Sequence, residues 1–455
     1  LFLRCLGAVV VAAFLSLLVQ HDVLFGVRGL LPACPVPEGA GPTLLQLRCT
    51  DGMLRLAALA GIASGLGLMA GLAPRWCLVA AWTLYLSLVN VGGAFLGFQW
   101  DNLLLETLLL SLFVAPGGWR PRGRPSPHPA AVFLLQWLLF RLHAESGAAK
   151  LLLGDPTWWD LTAMAGYYET APLPTWVGWW AHQMPGWAHR ATSALTLVVE
   201  LIVPFGIWGP RRIRRVAVAI MAVLQVGVIL TANYGFFNYL TLALCLWALD
   251  DQDLGASPAP PRVVHRRTTW TMGAVAVVLV ALSIVPFLRL VPPLRSVAVA
   301  LSPFAQTLDD VRSFNAYHLF AQMTHVRDEI VIEGSDDGGT TWREYDFRWK
   351  PGPVDRAPTF VAPHQPRADF QAWFLPLGGD SLWFDTLLRR LLEEPSAVAS
   401  LWAHDPFDGR APGAVRVAVY RYRFTDRATR TATGAWWTRS LTRTSRVMRA
   451  SGARP

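Results

Sequence analysis

A polytopic α-helical membrane domain of about nine apolar segments, followed by a small α+β domain on an antiparallel sheet, is the fold this sequence predicts. Three observations predict it. Of 455 residues, 53% are hydrophobic and 16% charged, against roughly 25% charged in an ordinary soluble domain. That is too little charge to coat the surface of a wholly soluble chain of this length. Apolar stretches close to bilayer length recur through residues 1–291. After Val291 the long apolar runs give way to residue-by-residue alternation. Abundant Leu, Val and Trp exclude a disordered chain. The net charge of +9 is spread along the chain, so no nucleic-acid module is predicted.

A hydrocarbon core takes about 20 apolar residues per helix. The apolar segments are 4–20, 53–73, 76–97, 101–115, 130–153, 191–209, 216–233, 236–249 and 270–290. Basic residues in short loops favour the cytoplasmic side. Arg4, Arg75, the Arg120, Arg122 and Arg124 group, the Arg211, Arg212, Arg214 and Arg215 group, and Arg262, Arg266 and Arg267 fall on one side if all nine segments cross. The N-terminus is then cytoplasmic and everything after Val291 lies outside. The first segment is expected to be an uncleaved helix, because Cys34 lies too far past the apolar run for a lipoprotein cleavage site. Cys34 and Cys49 share the first outward loop, where an oxidising compartment permits a disulfide; two free thiols are the other reading.

Several residues are out of place in a membrane. Arg141 and Glu145, four apart on the fifth segment, share a face and can pair. His143 and Lys150, seven apart, lie on roughly the opposite face. Ionisable groups at such depth usually face a bundle interior or a wet cavity. A structural ion pair is the plainer reading of Arg141 and Glu145, and an interfacial anchor that of Lys150. Glu106 and Glu200 are expected to hold helices together. The outward loops carry Gln99, Trp100, Asp101 and Asn102, then Asp155, Trp158, Tyr168 and Glu169 among a cluster of tryptophans, then Asn233 and Asn238. Tryptophans favour the membrane interface, yet the polar residues of all three loops would converge on one face. They are the predicted outward-facing site.

In the soluble part, 329–333 and 341–349 read as strands joined by the turn Gly334–Gly339. That turn is Asp-rich but lacks the calcium-loop spacing and its bidentate Glu. Residues 381–394 read as one helix, 396–403 as another, and 415–424 as a further strand. The soluble domain is assigned to 292–440, and 441–455 to a disordered Arg-rich tail that either leans on anionic headgroups or is simply solvated. No metal-ligand spacing, P-loop, GxSxG, HExxH or dinucleotide motif occurs, so no metal and no cofactor are predicted.

The order of motifs resembles the lipase maturation factor family. It is carried by Phe2-Leu3-Arg4 through Gln20, Ser87–Gly92, Phe98–Thr107, Gly154–Trp158, Tyr168-Glu169-Thr170 with Pro172-Leu173-Pro174, Asn233–Asn238, Glu333–Gly338 and Pro363–Arg367. These cover nearly the whole chain in order. One position departs: the family has His before the Tyr-Glu-Thr run, and this chain has Tyr167. The family's animal members act in the endoplasmic reticulum membrane in the folding of secreted lipases. The resemblance therefore implies a role in maturing exported proteins, lipases among them, beside membrane lipids as partners. Only two of the 40 basic residues are Lys, an Arg bias that points to a bacterial member and an inner-membrane location; a eukaryotic source implies the endoplasmic reticulum.

Two main classes of function follow. In the first, the outer domain holds partly folded clients without chemistry, through Trp342, Trp349, His364, Arg367 and Trp373. In the second, Lys150 before Asp155-Pro156-Thr157-Trp158 is similar to the membrane domain of vitamin K-dependent carboxylases; Lys150 is then a catalytic base and His143 its orienting partner. A transporter is a third reading, weakened by the absence of an internal repeat.

Overall fold

The computed structural model describes residues 1–121, 126–255, 266–300, 309–379 and 381–449. Arg122, Arg124, Arg262 and positions 450–455 of the expected tail lie outside the described residues.

The first part is helical. In chain order come α1 (Phe2–Leu18), α2 (His21–Phe25), α3 (Asp51–Ala70), α4 (Pro74–Val89), α5 (Gln99–Ser111), α6 (Pro129–Leu152) and α7 (Pro156–Trp159). Then come α8 (Ala163–Thr170), α9 (Trp176–His182), α10 (Gly186–Leu201), α11 (Arg211–Thr231), α12 (Phe237–Cys245), α13 (Arg266–Leu290) and α14 (Arg295–Ala300). Local chemistry sets several ends. Thr50 caps α3 by accepting from the Met53 N–H, and Gly71, at φ 72°, ends it. Pro74 and Pro129 open α4 and α6, where a missing N–H costs nothing. α1 lies close on α3 because a Cβ on Gly7 would stand 2.6 Å from the Gly65 carbonyl oxygen.

Among the described residues, four helices are long and apolar enough to cross a membrane: Asp51–Ala70, Gly186–Trp208, Arg211–Thr231 and Arg267–Leu290. Phe2–Leu18 and Phe237–Ala248 are apolar but shorter. The expectation of nine crossings is therefore not supported. α4 and α5 have 16 and 13 residues, about 24 and 20 Å of helix against a core of about 30 Å. α6 has 24 residues, but Arg141, Glu145 and Lys150 break its apolar character and are buried inside the bundle.

The second part is an antiparallel sheet with helices against it. Its elements are β1 (Arg327–Ser335), β2 (Arg343–Phe347), α15 (Arg367–Ala372), α16 (Leu382–Glu393), β3 (Trp402–His404), β4 (Ala414–Phe424), α17 (Arg427–Thr433), β5 (Trp437–Thr444) and β6 (Met448–Arg449). The strand order is β3-β2-β1-β4-β5, with β6 also on β4. Ile330 faces Val419 and Ile332 faces Val417 across the central pair. The Asp-rich turn is a hairpin loop: Asp337 accepts from the Thr340 and Thr341 N–H groups, which holds its carboxyl well below the ordinary range.

Residues 395–401 form a second helix, of 3₁₀ type, which stops at Leu401 because the chain then enters β3, where Trp402 pairs with Phe347. One expectation is corrected here. The stretch 441–449 is not a free tail: β5 runs on to Thr444 along β4, and Met448–Arg449 pair with Val415 and Ala414. Main-chain pairing holds these strands while their side chains stay mostly exposed, so no apolar pattern marks them.

Candidate functional site

Arg141 is the hub of a buried cluster between α5, α6 and α13. It is ion-paired with Glu106 and, at 3.4 Å, with Glu145, and it donates to the carbonyls of Ser283 and, at 3.0 Å, Asn315. Glu106 also accepts from the Tyr317 hydroxyl at 2.7 Å, and Glu145 from the Tyr317 N–H at 3.0 Å. Two carboxylates face one guanidinium, and Tyr317 and the Asn315 amide, 3.3 Å from Glu106 Oε2, supply further donors. The cluster ties Asn315 and Tyr317, in the segment that leads to the sheet, to α5 and α6.

Lys150 is 2% exposed, so it is no snorkelling anchor. Its Nζ stands 2.8 Å from Glu200 Oε2, donates to the Leu319 carbonyl at 2.9 Å and lies over the Trp158 ring. His143 sits between the Leu139 carbonyl, 3.0 Å from Nδ1, and the Gln225 amide, 3.4 Å from Nε2; Gln225 in turn accepts from Asn238. His143, Lys150 and Glu200 line one cavity of about 310 Å³, together with Trp100, Trp158, Tyr168 and Asn238. Tyr167, at the departing position, meets the Tyr234 hydroxyl at 3.2 Å and lines it too. Arg141 and Glu145 are not part of its wall.

The outward-loop residues do not form one open site. Most of them are a socket for the second domain and the segment leading to it. Gln99 accepts from the His318 N–H at 3.1 Å, and the Asn102 carbonyl faces Asn315 at 3.5 Å. Asp155 accepts from the Met323 N–H at 2.5 Å and caps Thr157, while the Trp158 indole donates to the Phe320 carbonyl. Glu169 accepts from the Phe424 N–H at 2.7 Å. Asn233 accepts from the Val361 and Ala362 N–H groups and donates to the Thr359 carbonyl. Asp101 takes Arg367 through both carboxylate oxygens, at 2.7 and 2.9 Å. Trp158 and Trp179 are buried, whereas Trp159, Trp176, Trp180 and Trp187 are exposed.

Arg367 is fully buried, so it is no client contact; that expectation is corrected. His364 is half-buried with Nδ1 3.0 Å from Ser16 Oγ, and burial beside Arg367 pushes its imidazole down to about 4. Trp373 packs edge-on against Phe374, and Trp342 lies under the Arg416 guanidinium. Trp349 alone of the five has a large exposed face, at 39%. Cys34 and Cys49 are joined; Cys5, Cys77 and Cys245 are free.

Sequence reasoning missed one cluster. Arg327, buried, donates to the carbonyls of Glu169, Ala171 and Pro172 and pairs with Glu329, which also holds Lys350. The signal was there: Lys350 is one of only two lysines, and Arg327 and Glu329 share one face of a strand. Among the described residues no group of three metal-ligating side chains occurs.

The profile of the lipase maturation factor transmembrane domain matches residues 1–256, and that of the lipase maturation factor C-terminal domain matches 313–446. Lipase maturation factor 2 of Homo sapiens is 33% identical over 96% of this chain and 80% of its own length. The Gallus gallus protein of the same name is 34% identical over 96% and 79%. Lipase maturation factor 1 of Bos taurus is 32% identical over 96% and 86%. No solved structure matches. Nothing in these matches supports the carboxylase-like reading of Lys150.

Proposed function

The chain belongs to the lipase maturation factor family, and on that premise we propose that it is a multi-pass membrane protein that assists the folding or maturation of exported proteins. The observation that supports this reading is similarity, in order and across both domains, to proteins named for lipase maturation. Lipases are accordingly the first clients to try. In this reading residues 1–291 are the membrane domain, with the N-terminus in the cytosol, and the sheet domain stands outside it; the Cys34–Cys49 disulfide, on a loop whose Arg28 pairs with Glu394 of the sheet domain, supports that sidedness.

Clients would meet two features. One is the set of exposed rings where the domains join, Trp176, Phe360 and Trp349; Trp176 and Phe360 already pack edge-to-face. The other is the outer edge of β5, the last strand of the sheet, which an extended segment extends by main-chain pairing. The test is deletion of the gene in its host, with secreted lipase activity and antigen measured together, and photo-crosslinking from position 349 or 441. Secretion at the normal level, with no exported protein captured, sinks the proposal.

A further inference from the structure

The cavity beside Lys150 has two unlike ends. Its mouth lies between α10 and α11, where Leu195 is 56% exposed, Val223 71% exposed, and a Cβ on Gly227 would meet nothing within 4 Å. Both helices belong to segments long and apolar enough to cross a membrane. The mouth therefore opens on lipid chains rather than on water. Leu142, Val199, Ile220 and Leu224 line the way in. The inner end is polar: it holds the Lys150–Glu200 pair, the His143–Gln225–Asn238 chain and the indole of Trp100.

Trp100 supplies the pointer to a ligand. It is 2% exposed and its Nε1 has no hydrogen-bond partner. A buried donor left unpaired keeps its full desolvation penalty, so an acceptor on an occupant is the group this site lacks. An occupant must then be apolar over most of its length, slim enough to pass Gly227, and tipped with oxygen acceptors. The volume falls at the lower end of the roughly 300–1,000 Å³ range of small-molecule pockets, which suits one chain and not a bulky polycycle.

We propose that this cavity binds a single acyl chain ending in a carboxylate or ester, taken laterally from the bilayer between α10 and α11. The chain lies against the apolar wall, and its oxygens meet Trp100 Nε1 at the end that holds the Lys150–Glu200 pair. The free acid and a phospholipid ester share this chemistry. The proposal stands apart from the client reading, because it requires no exported partner.

The experiment uses the full chain in phosphatidylcholine nanodiscs with two probes, a diazirine-bearing palmitic acid and a phosphatidylcholine carrying the same diazirine chain. After irradiation, adducts are mapped by peptide mass spectrometry. Adducts concentrated on 192–199 and 220–228 are expected, well above those on α13, whose Val277 and Val278 are equally open to lipid. Labelling by the acid alone assigns a carboxylate ligand, and labelling by both probes an ester. Gly227→Phe fills the mouth and is expected to cut these adducts roughly tenfold with unchanged thermal unfolding; Val223→Trp does the same from an exposed position if the first variant folds poorly. Adducts spread evenly over α10, α11 and α13, or undiminished in both variants, overturn the proposal.

Discussion

Arg367, at the start of α15, grips Asp101 at the head of α5 with both arms of its guanidinium, and both side chains are fully buried. The Tyr85 hydroxyl donates to the same carboxylate at 2.5 Å, and the Phe95 carbonyl accepts from the guanidinium. This fork-on-fork geometry joins the sheet domain to the helical domain. It makes the second domain a fixed cap on the first rather than a tethered module.

Arg367→Met removes the cation and leaves Asp101 buried and unpaired. Breaking a buried pair in this way costs about 3–5 kcal/mol. Arg367→Lys is expected to recover little, since an ammonium cannot fill both arms of the fork. Arg367→Met combined with Asp101→Asn is expected to regain a substantial part of the loss. Thermal unfolding of the purified full chain and protease cleavage near 349–366 measure it. Cleavage and melting unchanged in Arg367→Met count against the clamp.

The Cys34–Cys49 bridge spans 15 residues of sequence, and closing a loop of that size contributes about 3 kcal/mol in the chain-entropy view. A protein taken from its membrane under denaturing, non-reducing conditions is expected to alkylate at three cysteines, Cys5, Cys77 and Cys245, and at all five after reduction. Replacing Cys34 and Cys49 together by Ser is expected to lower stability by about 2–3 kcal/mol. Five alkylated thiols without reduction place the 21–52 loop on the reducing side, and the proposed sidedness falls with it.

How much of this was legible in the sequence depends on distance along the chain. Arg141 and Glu145 announce their pairing by four-residue spacing, and alternation at 329–333 and 415–424 announces the central strand pair. Glu106 as the closer partner of Arg141, and Arg367 as that of Asp101, are 35 and 266 residues away, so no local pattern reveals them. A polar loop residue reads alike whether it lines an open site or a socket, as Asn233 and Glu169 do here. Apolar runs have the same ambiguity: α5 is apolar because protein surrounds most of it, α4 keeps Trp76 and Val79 exposed, and the length of each argues against an independent crossing. β5 was unreadable for the opposite reason, since its side chains face solvent and its main chain does the pairing.

Acidification is expected to loosen the joint at His364. Burial, with Arg367 adding repulsion, pushes this imidazole from its ordinary 6.5 down to about 4. The neutral ring beside Ser16 is the folded form. Its contribution is complete above pH 6.5 and is lost as pH falls toward 4, on the order of 2 kcal/mol for a ring that keeps some solvent contact. Asp369 runs the other way: burial pushes its carboxyl up to about 6, so its contribution is present below its ordinary 3.8 and is lost as pH rises through 6. The two groups thus contribute slopes of opposite sign between pH 4 and 6.5. His364→Gln removes the His364 part and leaves every other group in place, so urea midpoints at pH 7 and pH 5 should show the wild type losing more on acidification than the variant. Equal slopes would remove His364 from the account.

Lys150 separates an anchoring cation from a proton acceptor. Its ammonium is held by Glu200, the Leu319 carbonyl and the Trp158 ring. Lys150→Arg keeps that charge, and the adjoining cavity has room for the longer side chain. It is expected to match the wild type in melting temperature and in secreted lipase activity restored to a deletion strain. Lys150→Met strands Glu200 inside the bundle and is expected to cost about 3–5 kcal/mol, with partial recovery when Glu200→Gln is added. A Lys150→Arg protein that melts normally yet restores nothing would instead assign proton chemistry to Nζ, because stability and charge would be intact and only the titratable amine would be gone.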